Sequence, residues 1–235
     1  MLSQTPIRSD ISRHQARNGR PIAHPAVSGH IGGDSFENQM QLMGAAMPYP
    51  RNAEIFGENE PAEYLYKVVS GAVRTYKILS DGRRQIGGFY LPGDVFGLEF
   101  ADEHTLSAEA ITNTKVLVVR RSTLAALAAS DTAAARELYQ FTARELQRSQ
   151  ERMLLLIKSA QERVASFLLE MTERTPASNS VELPMSRQDI ADYLGLTIET
   201  VSRTLTSLAS AETIEVPTSR RIVLRNRSAL NRLNG

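Results

Sequence analysis

The chain has 235 residues, of which 42% are hydrophobic and 23% charged, with a net charge of +1. That composition supports a buried core and excludes wholesale disorder, and the length accommodates two small domains. Cysteine is absent, which excludes disulfides, thiolate zinc sites, Cys-ligated iron–sulfur clusters and cysteine nucleophiles.

Residues 1–35 are rich in Ser, Pro, Gly, His and Arg and lack periodicity. Arg8, Arg13, Arg17 and Arg20 are opposed over that stretch only by Asp10, so a flexible basic tail is expected. Residues 36–129 carry short alternating segments. Leu65–Val69 and Ala72–Ile78 read as strands, and Ser80-Asp81-Gly82-Arg83 as a hairpin turn. Gln85–Leu91, Ser107–Ile111 and Lys115–Val119 follow at similar spacing. Strands punctuated this often suggest a compact β-roll, with a sensor-like role.

Residues 130–158 switch to helical periodicity without Pro or Gly. A helix of that span is about 40 Å long. Tyr139, Thr142, Leu146, Ser149, Met153, Leu156 and Ala160 recur at alternating intervals of three and four, which is a heptad seam. Leu146, Met153 and Leu156 are its expected dimer contacts; the alternative is a helix packed on its own domain, with Leu138 and Phe141 as its core residues. Residues 159–235 open with Ser159-Ala160-Gln161-Glu162, the spacing of a capping box. The helix that follows is broken at Thr175-Pro176.

The segment from Met185 to Arg203 reads as two short helices turning at Gly195, a helix-turn-helix. Thr197 is placed to cap the second helix. Ile198, Val201, Leu205 and Leu208 form its buried face. Glu199, Ser202 and Arg203, at i, i+3 and i+4, share another. Near a helix N-terminus that face enters the DNA major groove: Arg offers a fork to guanine O6 and N7, Glu accepts from cytosine N4, and Ser adapts to several edges. Phosphate contacts are expected from Ser186, Gln188, Thr197, Thr200 and Arg220. Thr213–Val216 and Arg221–Leu224 flank Pro217-Thr218-Ser219-Arg220 as a hairpin wing. From Ser186 onward seven Arg face five acidic residues, a mild basic bias compatible with phosphate contact. The expected class is therefore α+β: a β-roll resembling a cyclic-nucleotide-binding domain, a long dimerisation helix and a C-terminal winged helix-turn-helix.

The order of these elements resembles the CRP/FNR family of bacterial transcription regulators. The most specific motif is Glu199-Thr200-Val201-Ser202-Arg203, whose Glu-x-x-Ser-Arg form is similar to the FNR branch. Ser159–Leu168 and the Tyr66–Arg74 strand pair, with the lack of cysteine, look most like FixK proteins. The resemblance implies an activator that binds an inverted repeat like TTGAT-NNNN-ATCAA as a homodimer, with Arg203 on the guanine and Glu199 on its paired cytosine. It implies low-oxygen or nitrogen-fixation gene control, and an RNA polymerase contact at the turn Ser80-Asp81-Gly82-Arg83-Arg84.

A cyclic nucleotide in this family needs a Gly-Glu pair followed about ten residues on by Arg next to Ser or Thr. Phe96-Gly97-Leu98-Glu99 resembles the first part with an insertion, but Asp102–Glu109 has no Arg, so no cyclic nucleotide is expected. His104, the one His outside the tail, reads as a loop residue and not as a haem ligand. Neither a metal site nor a cofactor is expected. No phosphate-binding Gly-rich loop and no nucleophile elbow occurs, so an enzyme is not expected. The absence of a long apolar run and of a secretory signal points to the cytoplasm, away from membranes. Two alternatives stay open: a related regulator needing a small effector, and a ligand-binding module that controls a protein partner without DNA.

Overall fold

The computed structural model describes residues 36–99, 101–155, 157–175 and 179–234. The expected tail over residues 1–35 and the expected seam residue Leu156 lie outside them.

The N-terminal part begins with helix α1 (Phe36–Met43) and strands β1 (Ala45–Tyr49), β2 (Glu54–Phe56), β3 (Tyr64–Ser70) and β4 (Val73–Ile78). It continues through β5 (Arg84–Tyr90), β6 (Val95–Phe96), β7 (Ser107–Ala110) and β8 (Thr114–Arg120). Two antiparallel four-stranded sheets result, ordered β1-β8-β3-β6 and β2-β7-β4-β5. Period-two alternation decides what each strand buries. In β8, Val116 and Val118 turn toward Val68, Val73, Phe96 and Ala108. Leu117 and Val119 turn the other way, onto Met40, Leu124 and Ala134. The roll is thus packed on both faces of one sheet. The β4–β5 turn has Gly82 at φ 81°, and the Arg83 amide donates to Asp81.

Two helices follow where one was expected. α2 (Arg121–Ser130) closes the roll, and α3 (Thr132–Leu155) begins after Asp131. Asp131 separates them because its carboxylate accepts from the Ala133 and Ala134 amides at the start of α3, the role of an N-cap. With 24 residues, α3 is about 36 Å long. Leu138 and Phe141 pack against the roll cluster, the contact expected of a helix packed on its own domain.

The C-terminal part comprises α4 (Ala160–Glu173), β9 (Ser180–Glu182), α5 (Arg187–Leu194), α6 (Ile198–Ser210), β10 (Ile214–Glu215), β11 (Arg221–Leu224) and α7 (Arg227–Asn234). The expected capping box at Ser159 and Glu162 forms reciprocally. The wing is a three-stranded sheet ordered β10-β11-β9. Val164, Phe167, Leu168, Met171, Leu183, Ile190, Val201, Leu208, Ile222 and Leu230 make the core of this part. Ala72, Ile86, Phe89 and Ile111 of the roll belong to the same cluster.

Candidate nucleic-acid interface

α5 starts at Ser186, whose hydroxyl accepts from the Asp189 amide while the Asp189 carboxylate takes the Ser186 amide. The helix ends at Gly195 with φ 63° and ψ 39°. That left-handed conformation is what glycine supplies at a helix end without a steric penalty. Two residues later the Thr197 hydroxyl accepts from the Thr200 amide at 3.2 Å and caps α6.

α6 buries Val201, Leu205 and Leu208 almost completely. Ile198 departs from the expected buried face: it is 37% exposed. It stands in the first turn of α6, ahead of Val201, the first fully buried residue of the helix, so periodicity alone extends the buried face one residue too far toward the N-terminus.

Glu199 and Arg203 lie exposed, one turn apart on α6, and Ser202 is half-buried beside them. The Glu199 carboxyl is held below the usual carboxylate range by its own backbone N–H, the Thr197 hydroxyl and the nearby Arg203. It stays an ionised acceptor in neutral solution. Arg203 and Arg221 enter no ion pair among the described residues, whereas Arg225 is paired with Glu215 and Arg227 with Glu173. Ser202 is held by Arg187, whose Nη1 donates to its Oγ at 3.3 Å. Sequence spacing did not reveal Arg187, because its partner lies 15 positions away on the next helix.

The expected phosphate-contacting groups stand at the starts of α5 and α6 and on the wing, and are locally engaged. The Ser186 hydroxyl also donates to Asp189, and Gln188 donates to Asp192 at 2.6 Å. The Thr197 and Thr200 hydroxyls share a hydrogen bond at 3.1 Å. Arg220 sends its guanidinium back to the Pro184 carbonyl, while Pro217, Thr218 and Ser219 form the exposed wing tip. Each is within a turn of a helix start or on the wing, where hydroxyls, amides and backbone N–H groups meet phosphates.

The long helix presents a second surface. Tyr139, Leu146 and Met153, spaced by seven, are 73%, 60% and 66% exposed, and Leu154 and Ile157 add 58% and 85%. Large apolar side chains exposed along α3 and just beyond it are the kind of surface that serves as an interaction site.

In the roll, His104 sits in a loop but is buried, stacked on Phe56 at 3.6 Å, with Nδ1 3.2 Å from Glu99. The cations nearby are spoken for. Arg121 donates to the carbonyls of Ala62, Glu99 and Ala101, and Arg74 to Glu109 and Asp189. Among the described residues, neither of these two guanidiniums is left to meet a cyclic phosphate. Among the described residues no cluster of three or more His, Asp or Glu could hold a metal, and no helix is long and apolar enough to cross a membrane.

Residues 162–233 match the family model of the Crp-like helix-turn-helix domain, and residues 46–131 that of the cyclic nucleotide-binding domain. The nitrogen fixation regulation protein FixK of Azorhizobium caulinodans is 52% identical over 198 residues, covering 82% of this chain and 80% of that protein. The chain belongs to the CRP/FNR family of transcription regulators. FixK of Rhizobium meliloti is 40% identical over 186 residues, covering 79% of this regulator and 85% of that protein. The solved structure of FixK2 from Bradyrhizobium japonicum superposes with a TM-score of 0.78 at 54% identity, covering 82% of this regulator and 98% of that chain. The regulator thus has the family's α+β architecture and a DNA-binding helix-turn-helix domain.

Proposed function

We propose that this regulator is a transcription activator that binds, as a homodimer, a palindrome resembling TTGAT-NNNN-ATCAA. The observation that carries the reading is the exposed N-terminal face of α6. It offers an ionised Glu199 and an Arg203 that enters no ion pair among the described residues, on a capped helix beside a wing. In this reading Arg203 forks onto guanine, Glu199 accepts from the paired cytosine and braces Arg203, and Ser202 contributes a hydroxyl. Ser186, Gln188, Thr197, Thr200 and Arg220 place the domain on the phosphates. Dimerisation through the Tyr139–Leu146–Met153 stripe sets two such helices in successive major grooves.

Recruitment of RNA polymerase and control of low-oxygen or nitrogen-fixation genes follow by analogy with the FixK relatives. In the turn proposed to meet the polymerase, Ser80, Asp81, Gly82 and Arg83 are exposed, while Arg84 is drawn toward α5. The activity is binding and not catalysis, it needs no cyclic nucleotide, and it operates in the cytoplasm.

A fluorescence anisotropy titration of the untreated protein tests the reading, with the palindrome, a half-site and a scrambled duplex as probes. Tight palindrome-dependent binding that weakens steeply with salt supports it. Equal binding to the scrambled duplex without any effector refutes it.

A further inference from the structure

Asp189 makes more hydrogen bonds than its own helix requires. Its Oδ2 accepts the Ser186 amide at 2.9 Å and the Ser186 hydroxyl at 2.8 Å, which completes the capping box of α5. Its Oδ1 is left over for the roll. There it accepts Arg74 Nη1 from β4 at 3.0 Å and Arg84 Nη2 from β5 at 2.7 Å. Arg84 also reaches Asp192, one helix turn on, at 2.7 Å, and Arg74 reaches Glu109 of β7 at 2.9 Å. The side chains of Arg74 and Asp189 are only 11% and 5% exposed. Two neighbouring strands of the roll therefore grip one buried carboxylate at the first turn of the helix-turn-helix.

We propose that Arg74 and Arg84 are positioning residues for DNA recognition: through Asp189 they fix the angle of the recognition helix, and with it the half-site spacing that the dimer accepts. The proposal rests on the reading above that the regulator binds a palindrome as a dimer.

Three observations converge on it. α5 and α6 move together, because Gly195 closes the turn between them, the Leu196 amide donates to Ala191, and Arg187 holds Ser202. Whatever orients α5 orients the base-reading face. α3 is joined to α4 by one short stretch before Ser159. The apolar part of the junction, Phe89 against Tyr193 and Phe167 at 5.1 and 6.2 Å, is non-directional and tolerates sliding. The guanidinium forks are directional, so together with the Arg174–Asp94 pair they define the angle within the range that the apolar contact allows.

The charge count makes the grip sensitive. Three carboxylates, Glu109, Asp189 and Asp192, surround two guanidiniums. Without Arg84, Asp189 and Asp192 face each other across one helix turn with no shared cation, and like charges at that spacing repel. Spacing is a stringent readout, because one added base pair shifts a half-site by about 3.4 Å and rotates it by about 35°.

The test titrates full-length protein against palindromes whose constant half-sites are separated by spacers of different length, with a single half-site duplex as control. Wild type is expected to prefer one spacer. In Arg84→Ala and Arg74→Ala that preference should fall at least tenfold, with half-site binding within about twofold of wild type. Arg84→Lys, which keeps a cation but loses the fork, should restore part of it. Should Arg74→Ala fail to fold, Arg84→Ala decides, since its side chain is 25% exposed. Unchanged spacer preference in a variant that binds the half-site normally overturns this proposal alone, and reduces the grip to structural support. Wild type that ignores the palindrome overturns both this proposal and the reading on which it rests.

Discussion

Replacing Arg203 with alanine isolates base reading from everything else that α6 does. The side chain is exposed and enters no ion pair among the described residues, while the buried face of α6 is carried by Val201, Leu205 and Leu208. Folding stability should therefore be unchanged, as is usual for surface positions away from caps and cores. The loss falls on DNA. A bidentate Arg–guanine contact contributes about 1–3 kcal/mol of discrimination. A dimer makes it twice, so the palindrome should lose about 2–6 kcal/mol. At about 1.4 kcal/mol per tenfold, that is about 30-fold to 10⁴-fold in Kd. Anisotropy at fixed salt measures it, with a duplex carrying substitutions at the guanine as the diagnostic partner. Arg203→Ala should bind that duplex almost as well as the palindrome, and wild type should not. An equal loss on both duplexes and on scrambled DNA would place Arg203 on a phosphate and refute base readout.

Two further outcomes follow from other parts of the molecule. Met153→Glu puts a charge at the C-terminal end of the exposed stripe on α3. It should shift the protein toward monomer in analytical ultracentrifugation and weaken palindrome binding much more than half-site binding; an unchanged sedimentation coefficient places the dimer contact elsewhere. Asp94 accepts from Arg174 at 2.6 Å, the Leu91 amide at 2.7 Å and Arg148 at 2.8 Å, tying the β5–β6 turn to α3 and α4. Burial alone would raise its carboxyl, but these partners hold it below the usual range. A depressed folded value means that its contribution is present above the unfolded Asp value of about 3.9 and is lost as pH falls through the lower folded value. Asp94→Asn should cost about 3 kcal/mol at neutral pH and flatten the acid limb of stability measured by urea unfolding. Glu170, pushed up by burial, acts with the opposite sign: its contribution is full in acid and fades as pH rises through its folded value. The variant comparison separates the two, and an acid limb as steep as wild type's would show that Asp94 does not carry it.

What the sequence made legible was local. The capping spacings at Ser159 and Thr197, the turn at Gly195 and the strand at Lys115–Val119 each involve residues within a few positions of one another, where geometry is fixed by period and hydrogen-bond reach. The missed features depend on distance along the chain. Arg74 and Arg84 meet Asp189 across 115 and 105 positions, and no periodicity announces such a meeting. Asp189 looked like a capping residue because one of its oxygens is one. His104 looked like an ordinary loop residue because nothing local predicts that Phe56 stacks on it. α7 escaped notice because it is short and polar, with Leu230 its single fully buried anchor.

The core that runs from the roll into the C-terminal part bears on how this architecture is built and exchanged. Ala72, Ile86, Phe89 and Ile111 share one apolar cluster with Phe167, Ile190 and Val201. A fragment cut at Ser159 would leave that side of the DNA-binding part bare to water, so it would not behave as a free-standing module. Chemical unfolding should strip both parts away in one cooperative step. A chimaera that grafts this helix-turn-helix onto another relative's roll must bring those four roll side chains along, because they are already interior to the domain being moved.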